Sequence, residues 1–484
     1  MMNPITRTWD LLVLGGGTAG IVAAKTAVGL GSQVLLVERE RTGGDCLWTG
    51  CVPSKALLAA ASSVASARDS AKFGIHTAGV RVDFPAVMSH VHSAIQQVEP
   101  VDSPETLKRF GINILQGNGH FIDSRTLQVD QKEIRFRTAI IAVGAQPAVP
   151  PIPGLLGSPF LTSENLWQIQ ELPKRLVILG AGSIGCELGQ AFARLGSQVM
   201  LVDMASRILP REDQLAAQFV AKALTKEGVK ILTGATVSLA SIDHDGKGFL
   251  QLDKGGGHTD QVDFDRLLVA SGRTPRTHDL GLNLAGVELN KNGFLKVDAS
   301  LRTTNKRIWA AGDVTGHPQF THVAGVHGSV AASNAILGLR RKAEVATIPR
   351  VTFTHPEVAA VGISTDSFGN DQYSVAHLMN AEVDRAITDC ETEGFTKIAI
   401  DKKGRIIGAT VVGPRAGETL SELTLAVRLG LRTRDLASTI HPYPTYSDAQ
   451  WRITIADVRE RLKAPLIRSV IKLLRRISRA RLPA

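Results

Sequence analysis

Four short, uninterrupted apolar runs stand out along the chain, and each ends at a glycine turn or at an acid. Leu11-Leu12-Val13-Leu14 leads into Gly15-Gly16-Gly17-Thr18-Ala19-Gly20 and an Ala- and Val-rich stretch, and Val34-Leu35-Leu36-Val37 then stops at Glu38. The pattern returns as Leu176-Val177-Ile178-Leu179, Gly180-Ala181-Gly182-Ser183-Ile184-Gly185, a stretch through Gly189 to Leu195, and Val199-Met200-Leu201-Val202 stopping at Asp203. Such runs bounded by turn residues predict buried strands, and strand, glycine turn, helix, strand is the order of an α/β nucleotide-binding unit. A different period closes the chain. After Pro465, Leu466, Ile467, Val470, Ile471, Leu474 and Ile477 recur at helical spacing, with Arg468, Lys472, Arg475, Arg476 and Arg479 largely between them, which predicts a basic amphipathic helix.

Each fingerprint assigns its residues a physical task. Gly15 and Gly180 permit the tight turn, Gly17 and Gly182 let the backbone approach a pyrophosphate, and Gly20 and Gly185 allow close helix packing, with the phosphates on the helix N-terminus. Glu38 and Asp203 are placed to accept hydrogen bonds from ribose hydroxyls. Two fingerprints imply two dinucleotides. At Asp203 a carboxylate favours a free 2′-hydroxyl over a 2′-phosphate, which argues for NADH; Arg207 and Arg211 close downstream leave NADPH open.

Composition adds little until it is divided along the chain. With 484 residues, 44% hydrophobic and 21% charged, the sequence suits a soluble protein of about three domains, and no run approaches a charge-free membrane span. The net charge of +10 is concentrated in residues 452–484, where ten basic residues face only Asp457 and Glu460. The remainder carries +2, so any argument from basicity belongs to the tail.

Cys46 and Cys51 lie in Gly43-Gly44-Asp45-Cys46-Leu47-Trp48-Thr49-Gly50-Cys51-Val52-Pro53-Ser54-Lys55, shortly after the first fingerprint. A bridge between them would close too small a loop to stabilise a long chain, so redox work explains the pair better than structure does. Cys186 and Cys390 are isolated, and no secretory leader is read at the amino terminus, so a reducing, cytoplasmic compartment is expected. A zinc site would need two further ligands at matching spacing, and none is read; no metal site is expected. Cys186, inside the second helix, reads as a small core residue.

These motifs together, with Ala310-Ala311-Gly312-Asp313 after Ile308-Trp309, resemble the class I pyridine nucleotide-disulfide oxidoreductases, which include dihydrolipoamide dehydrogenase, glutathione reductase and mercuric reductase. Ala142-Val143-Gly144-Ala145-Gln146-Pro147 resembles the segment leaving the flavin domain, and Ser271-Gly272-Arg273-Thr274-Pro275 that leaving the nicotinamide domain. Phe353-Thr354-His355-Pro356-Glu357 and Glu393-Gly394-Phe395-Thr396-Lys397 resemble the dimerisation domain. The resemblance implies an α/β fold with two Rossmann-like domains, binding FAD and NAD(P)H, plus a C-terminal α+β dimerisation domain in a homodimer. It apportions the chain as 1–150 and 275–345 for FAD, 151–274 for NAD(P), 346–458 for dimerisation and 459–484 for the tail. Gly44, Gly144, Gly272, Arg273, Gly312 and Asp313 join the cofactor set, with Asp313 on the ribityl chain. Cys51 would be the thiolate beside the flavin and Cys46 the interchange thiol, with Lys55 paired to Glu187 near the flavin; a nearby cation and helix favour the thiolate.

One departure directs the reading. Disulfide-reducing members carry a His before Pro-Thr and a Glu five residues later, which serve the other subunit's interchange thiol; aligned on Pro444-Thr445, these positions hold Tyr443 and Asp448. A phenol is a poor base at neutral pH but can donate a hydrogen bond. Mercuric reductase is similar in having Tyr there, although no cysteine follows Cys390 here to supply that family's C-terminal pair. His441 is either an alternative acid/base or a structural residue. The leading expectation is an NAD(P)H-dependent, mercuric reductase-like flavoprotein acting on a small thiol-reactive or metal acceptor. The alternatives are a dihydrolipoamide dehydrogenase-like enzyme and a membrane-associated NADH:quinone flavoprotein. The tail either lies on an anionic membrane at the inner face or packs on the dimer; nucleic acid is the weakest option because no aromatics interleave the charges.

Overall fold

In the computed structural model, which describes residues 7–253, 259–366, 369–370 and 372–481, every apolar run of the two fingerprints is a strand. The observed spans are Thr8–Leu14, Val34–Glu38, Arg175–Leu179 and Gln198–Asp203, and the glycine turns lead into helices Thr18–Gly29 and Ser183–Leu195. The strands run parallel within each unit, Leu11 opposite Val34 and Leu176 opposite Val199. Parallel strands covered on both faces bury every side chain, which is why they read as continuous apolar runs.

The chain divides into two compact units, residues 1–207 with 227–345 and residues 208–226 with 346–484. The first contains both parallel sheets. One orders Asn113–Gln116, Val34–Glu38, Thr8–Leu14 and Lys132–Ile141, with Ile308–Ala310 pairing onto the last of these and two antiparallel strands, Thr126–Val129 and Gly119–Phe121, continuing the edge. The other orders Lys230–Thr233, Gln198–Asp203, Arg175–Leu179 and Arg266–Val269. The two segments that leave these sheets meet as a short antiparallel ribbon, Arg273 opposite Pro147 and Pro275 opposite Ala145.

Small side chains bring two helices of this unit together. Ala19, Ala23, Ala24 and Ala27 on the first fingerprint helix share a buried cluster with Ala324, Ala331 and Ala332 on helix Thr321–Leu337. A Cβ at Gly328 would lie 2.3 Å from the Ala19 carbonyl oxygen, so only glycine allows this approach. The packing sets the amino end of the 321–337 helix beside the first glycine turn.

The second unit is built on a six-stranded antiparallel sheet, in the order Arg350–Thr352, Glu357–Gly362, Ile406–Gly413, Phe395–Asp401, Tyr373–Met379, Gly369–Asn370. Leu420, Leu423 and Ala426 of helix Ala416–Leu429, with Ile453 of helix Asp448–Arg461, bury against Ile398, Ile406 and Ala409 of the sheet. The last helix is Pro465–Arg481, where the amphipathic pattern places it.

Candidate active site

Both glycine turns are built the same way, atom for atom. Gly15 and Gly180 each have φ +107°, and a Cβ at either would sit 2.5 Å and 2.4 Å from the carbonyl oxygens of Ala142 and Ala270. At Gly20 and Gly185 a Cβ would strike the Gly15 and Gly180 oxygens at 1.8 and 1.9 Å. The helices start at Gly17 and Gly182 with no side-chain cap, which leaves first-turn N–H groups to a bound anion.

The strand-end acids have a second duty that the sequence did not disclose. Glu38 accepts from the Gly16 N–H at 2.6 Å and from the Glu40 N–H at 2.8 Å; Asp203 accepts from the Ala181 N–H at 2.6 Å and the Ala205 N–H at 2.7 Å. Each carboxylate thus clamps its own glycine turn and is held in one orientation, with lone pairs remaining for ribose hydroxyls. These cradles fit two dinucleotides: glycines where a Cβ would intrude, uncapped helix starts, and an oriented acid at each ribose position.

The cysteine segment is fastened to the first turn. The Gly43 N–H donates to the Gly16 oxygen at 2.9 Å, and a Cβ at Gly44 (φ +61°) would lie 2.6 Å from the Gly17 Cα. Cys46 sits in the short helix Gly44–Trp48, and Cys51 is the first residue of helix Cys51–Arg68. The Cys51 sulfur is 3.2 Å from Thr321 Oγ1, and Thr321 is the first residue of its own helix. Two helix N-termini therefore converge on one sulfur, and each favours negative charge there.

Both cysteines are thiols, hydrogen-bonded to each other, and their acidities part. The bond from the Cys46 thiol, the Thr321 hydroxyl and the Lys55 charge bring Cys51 down from 9.0 to about 6, against the opposing effect of burial. The same bond, reinforced by burial, pushes Cys46 far up, so its proton stays. Lys55, one turn beyond Cys51, bonds Glu187 Oε2 at 2.8 Å, with the Glu187 side chain only 8% exposed. This pair ties the cysteine helix to the second fingerprint helix. Cys186 is buried, donates to the Ala181 oxygen at 3.4 Å, and is driven up by desolvation, so it is an inert core residue.

Arg273 and Asp313 come together: the Arg273 Nε lies 3.4 Å from Asp313 Oδ2, and its terminal nitrogen bonds the Ala145 oxygen at 2.7 Å and the Asp45 carboxylate. Burial raises Asp313 and Arg273 opposes it. Gly144 and Gly272 border this cluster at φ +71° and +125°, with nothing within 4 Å of a Cβ on either, and Gly312 holds the turn before Asp313 at φ +78°. Asp45 and Arg276, which bonds Glu164 and the Ala145 oxygen, were missed by the motif reading, as was Thr321. Arginine and acid at that spacing carry no signal without the fold, and a threonine opening an apolar helix carries none at all.

Tyr443 and Asp448 belong to the second unit. Tyr443 is 68% exposed and its hydroxyl donates to Asp384, whose carboxylate raises the phenol above its ordinary range. The Tyr443-Pro444 peptide is cis. Asp448, half-buried at the start of helix Asp448–Arg461, is raised by desolvation. His441 has both ring nitrogens engaged, by Glu422 at 2.8 Å and the Thr439 oxygen at 3.0 Å.

Residues 9–328 match the family described as pyridine nucleotide-disulphide oxidoreductase, and residues 348–453 match its dimerisation domain. A mercuric reductase of Bacillus cereus is 36% identical over 91% of this chain and 70% of its own length. A dihydrolipoyl dehydrogenase of Geobacillus stearothermophilus is 35% identical over 91% of this chain and 94% of its own. Among solved structures, the Cu(II) complex of the HOCl-induced flavoprotein disulfide reductase RclA from Escherichia coli is similar with a TM-score of 0.82 and 29% identity, covering 93% of this chain and 100% of that one.

Proposed function

Since the chain belongs to the pyridine nucleotide-disulphide oxidoreductases, homodimeric flavoenzymes that use FAD and NAD(P)H, we propose that it spends NADH to reduce a small thiol-reactive or metal acceptor through Cys46 and Cys51. The observation that carries this reading is the setting of Cys51, which opens its own helix with its sulfur 3.2 Å from Thr321 Oγ1 at the start of another, so that a thiolate is favoured there while Cys46 keeps its proton.

The turn at Gly15, Gly17 and Gly20, with Glu38 and the Asp313 cluster, would hold FAD, which would supply the two-electron link between NADH and the cysteines. Gly180, Gly182, Gly185 and Asp203 would hold the nicotinamide dinucleotide, and the clamped Asp203 carboxylate would repel a 2′-phosphate. Two electrons and one proton open the Cys46–Cys51 bond to a Cys46 thiol and a Cys51 thiolate. Lys55, Thr321 and the two helix N-termini stabilise that thiolate. Re-forming the disulfide releases one proton and two electrons, enough to take one Hg(II) to Hg(0) or two Cu(II) to Cu(I).

A soft metal ion chosen by two sulfurs needs no imidazole beside them. Tyr443, held protonated with its one O–H given to Asp384, cannot serve as the base that disulfide substrates use; it could donate to a ligand bound at the partner subunit's cysteines only by exchanging Asp384 for that ligand. The relatives' names point the same way, to Hg(II) for the Bacillus cereus enzyme and to a Cu(II) complex for the Escherichia coli one. A dihydrolipoyl dehydrogenase-like activity is the second reading, favoured by a relative of nearly the same length.

The test is anaerobic titration of the holoprotein with NADH and with NADPH, then stopped-flow reoxidation by Hg(II) and Cu(II) thiolates, lipoamide, glutathione disulfide and a quinone. A long-wavelength thiolate-to-flavin band at two electrons per FAD, discharged fastest by a metal thiolate, is expected. Bleaching of the flavin without that band would refute the dithiol route, and fastest discharge by lipoamide would transfer the enzyme to the second reading.

A further inference from the structure

Helix Pro465–Arg481 has 17 residues, roughly 25 Å at 1.5 Å per residue. It lies beyond residue 453, where the match to the dimerisation domain stops. At about 100° per residue its two chemistries separate through residue 479: Arg468, Lys472, Arg475, Arg476 and Arg479 share an arc of about 100°, and Leu466, Ile467, Val470, Ile471, Leu473, Leu474 and Ile477 occupy the opposite side, with Arg481 alone counting onto that side at the helix end. The apolar side stands open, with Leu466 84%, Leu474 58% and Val470 55% exposed. No acid follows Glu460 in the sequence, so nothing within the helix offsets its cations.

We propose that this helix lies flat on an anionic lipid bilayer, its aliphatic side sunk to the level of the headgroup–acyl boundary and its cations among the lipid phosphates. The arrangement matches what such a surface offers, apolar depth on one side and negative charge on the other. Among the described residues no helix is long and apolar enough to cross a membrane, so the helix would rest on the surface and not span it. A second copy of the helix is a poorer occupant. Pairing the two aliphatic sides would gather twelve cations, six from each copy, on one small body with no acid between them. A nucleic acid would use the cations but leave seven large aliphatic side chains in water, and the helix has no aromatic residue on which a base could stack.

The experiment is co-sedimentation of the full-length FAD-loaded protein with vesicles of phosphatidylcholine alone and of phosphatidylcholine mixed with phosphatidylglycerol. Binding to the mixed vesicles only, weakening as salt rises, is expected. Each cation near an anionic surface multiplies partitioning by about fivefold, so the double substitution Arg475→Gln with Arg476→Gln should lower it about 25-fold. Leu474→Glu should abolish binding as well, and a chain ending at Ala464 should not sediment while its flavin is still reduced by NADH at the same rate. Two results overturn the proposal. If the intact protein ignores anionic vesicles and the shortened chain dissociates to monomers, the aliphatic side is a subunit interface. If binding survives Leu474→Glu, the attraction is that of any polycation for any polyanion and the helix does not enter the bilayer.

Discussion

Replacing Thr321 by Val tests the idea that the fold, and not the cysteine motif alone, sets the charge on Cys51. Val keeps the shape of Thr and removes the hydroxyl that lies 3.2 Å from the sulfur. A hydrogen bond to a charged group is worth about 1.5–3 kcal/mol, and the lower end applies because Lys55 and the two helix N-termini stabilise the same charge. At 1.36 kcal/mol per pKa unit, the lower figure is about one unit, which moves the Cys51 midpoint from about 6 to about 7. At pH 7 the thiolate fraction should then fall from about 90% to about 50%. The assay is anaerobic pH titration of the two-electron-reduced holoprotein, following the thiolate-to-flavin band, with Thr321→Ser as the variant that restores the wild-type midpoint. The reduction of flavin by NADH should not change. A midpoint that stays near 6 in Thr321→Val would refute the role given to the hydroxyl and leave the helix ends and Lys55 to account for the acidity.

Gly44→Ala should purify with much less bound FAD, because a Cβ there collides with the Gly17 Cα at 2.6 Å in a left-handed backbone; absorbance at the flavin maximum per chain measures it, and full occupancy would contradict the cradle. His327 is fully buried, with neither ring nitrogen hydrogen-bonded among the described residues, and burial followed by the neighbouring His317 lowers it from 6.5 to about 4. The unfolded chain therefore takes up the proton first, so stability falls as pH drops from 6.5 towards 4, by up to about 3 kcal/mol from this group. His327→Leu should flatten that part of a melting-temperature profile, and an unchanged slope would assign the acid sensitivity elsewhere. Tyr443→Phe should slow turnover with the true acceptor while leaving flavin reduction by NADH intact; equal turnover would remove the phenol from the mechanism.

The parts of the fold legible in the sequence were those fixed by local rules. Buried parallel strands must be apolar throughout, a pyrophosphate turn must be glycine, and both repeat here in order, so the strands, the turns and the Ser183–Leu195 helix could be placed within a residue or so. The amphipathic tail was equally plain because nothing competes with its 3.6-residue period. What could not be read were contacts that depend on long-range closure. Thr321 reaches Cys51 across 270 residues only because alanines and Gly328 let two helices touch. Asp45 and Arg276 meet across the ribbon that joins the two sheets' exit segments, and Asp384 reaches Tyr443 from 59 residues away. Lys55 and Glu187 were paired in advance only through the resemblance, since nothing in the spacing of 132 residues suggests it.

The fastening of the cysteine segment to the phosphate turn, through Gly43 on Gly16 and Gly44 against Gly17, gives two functions one piece of backbone. Because these contacts are made by the chain itself, a side chain added at either glycine would be felt twice, once where the flavin's pyrophosphate would sit and once where Cys46 and Cys51 are aimed. Sequence drift at this turn is therefore constrained by sulfur chemistry as much as by nucleotide binding.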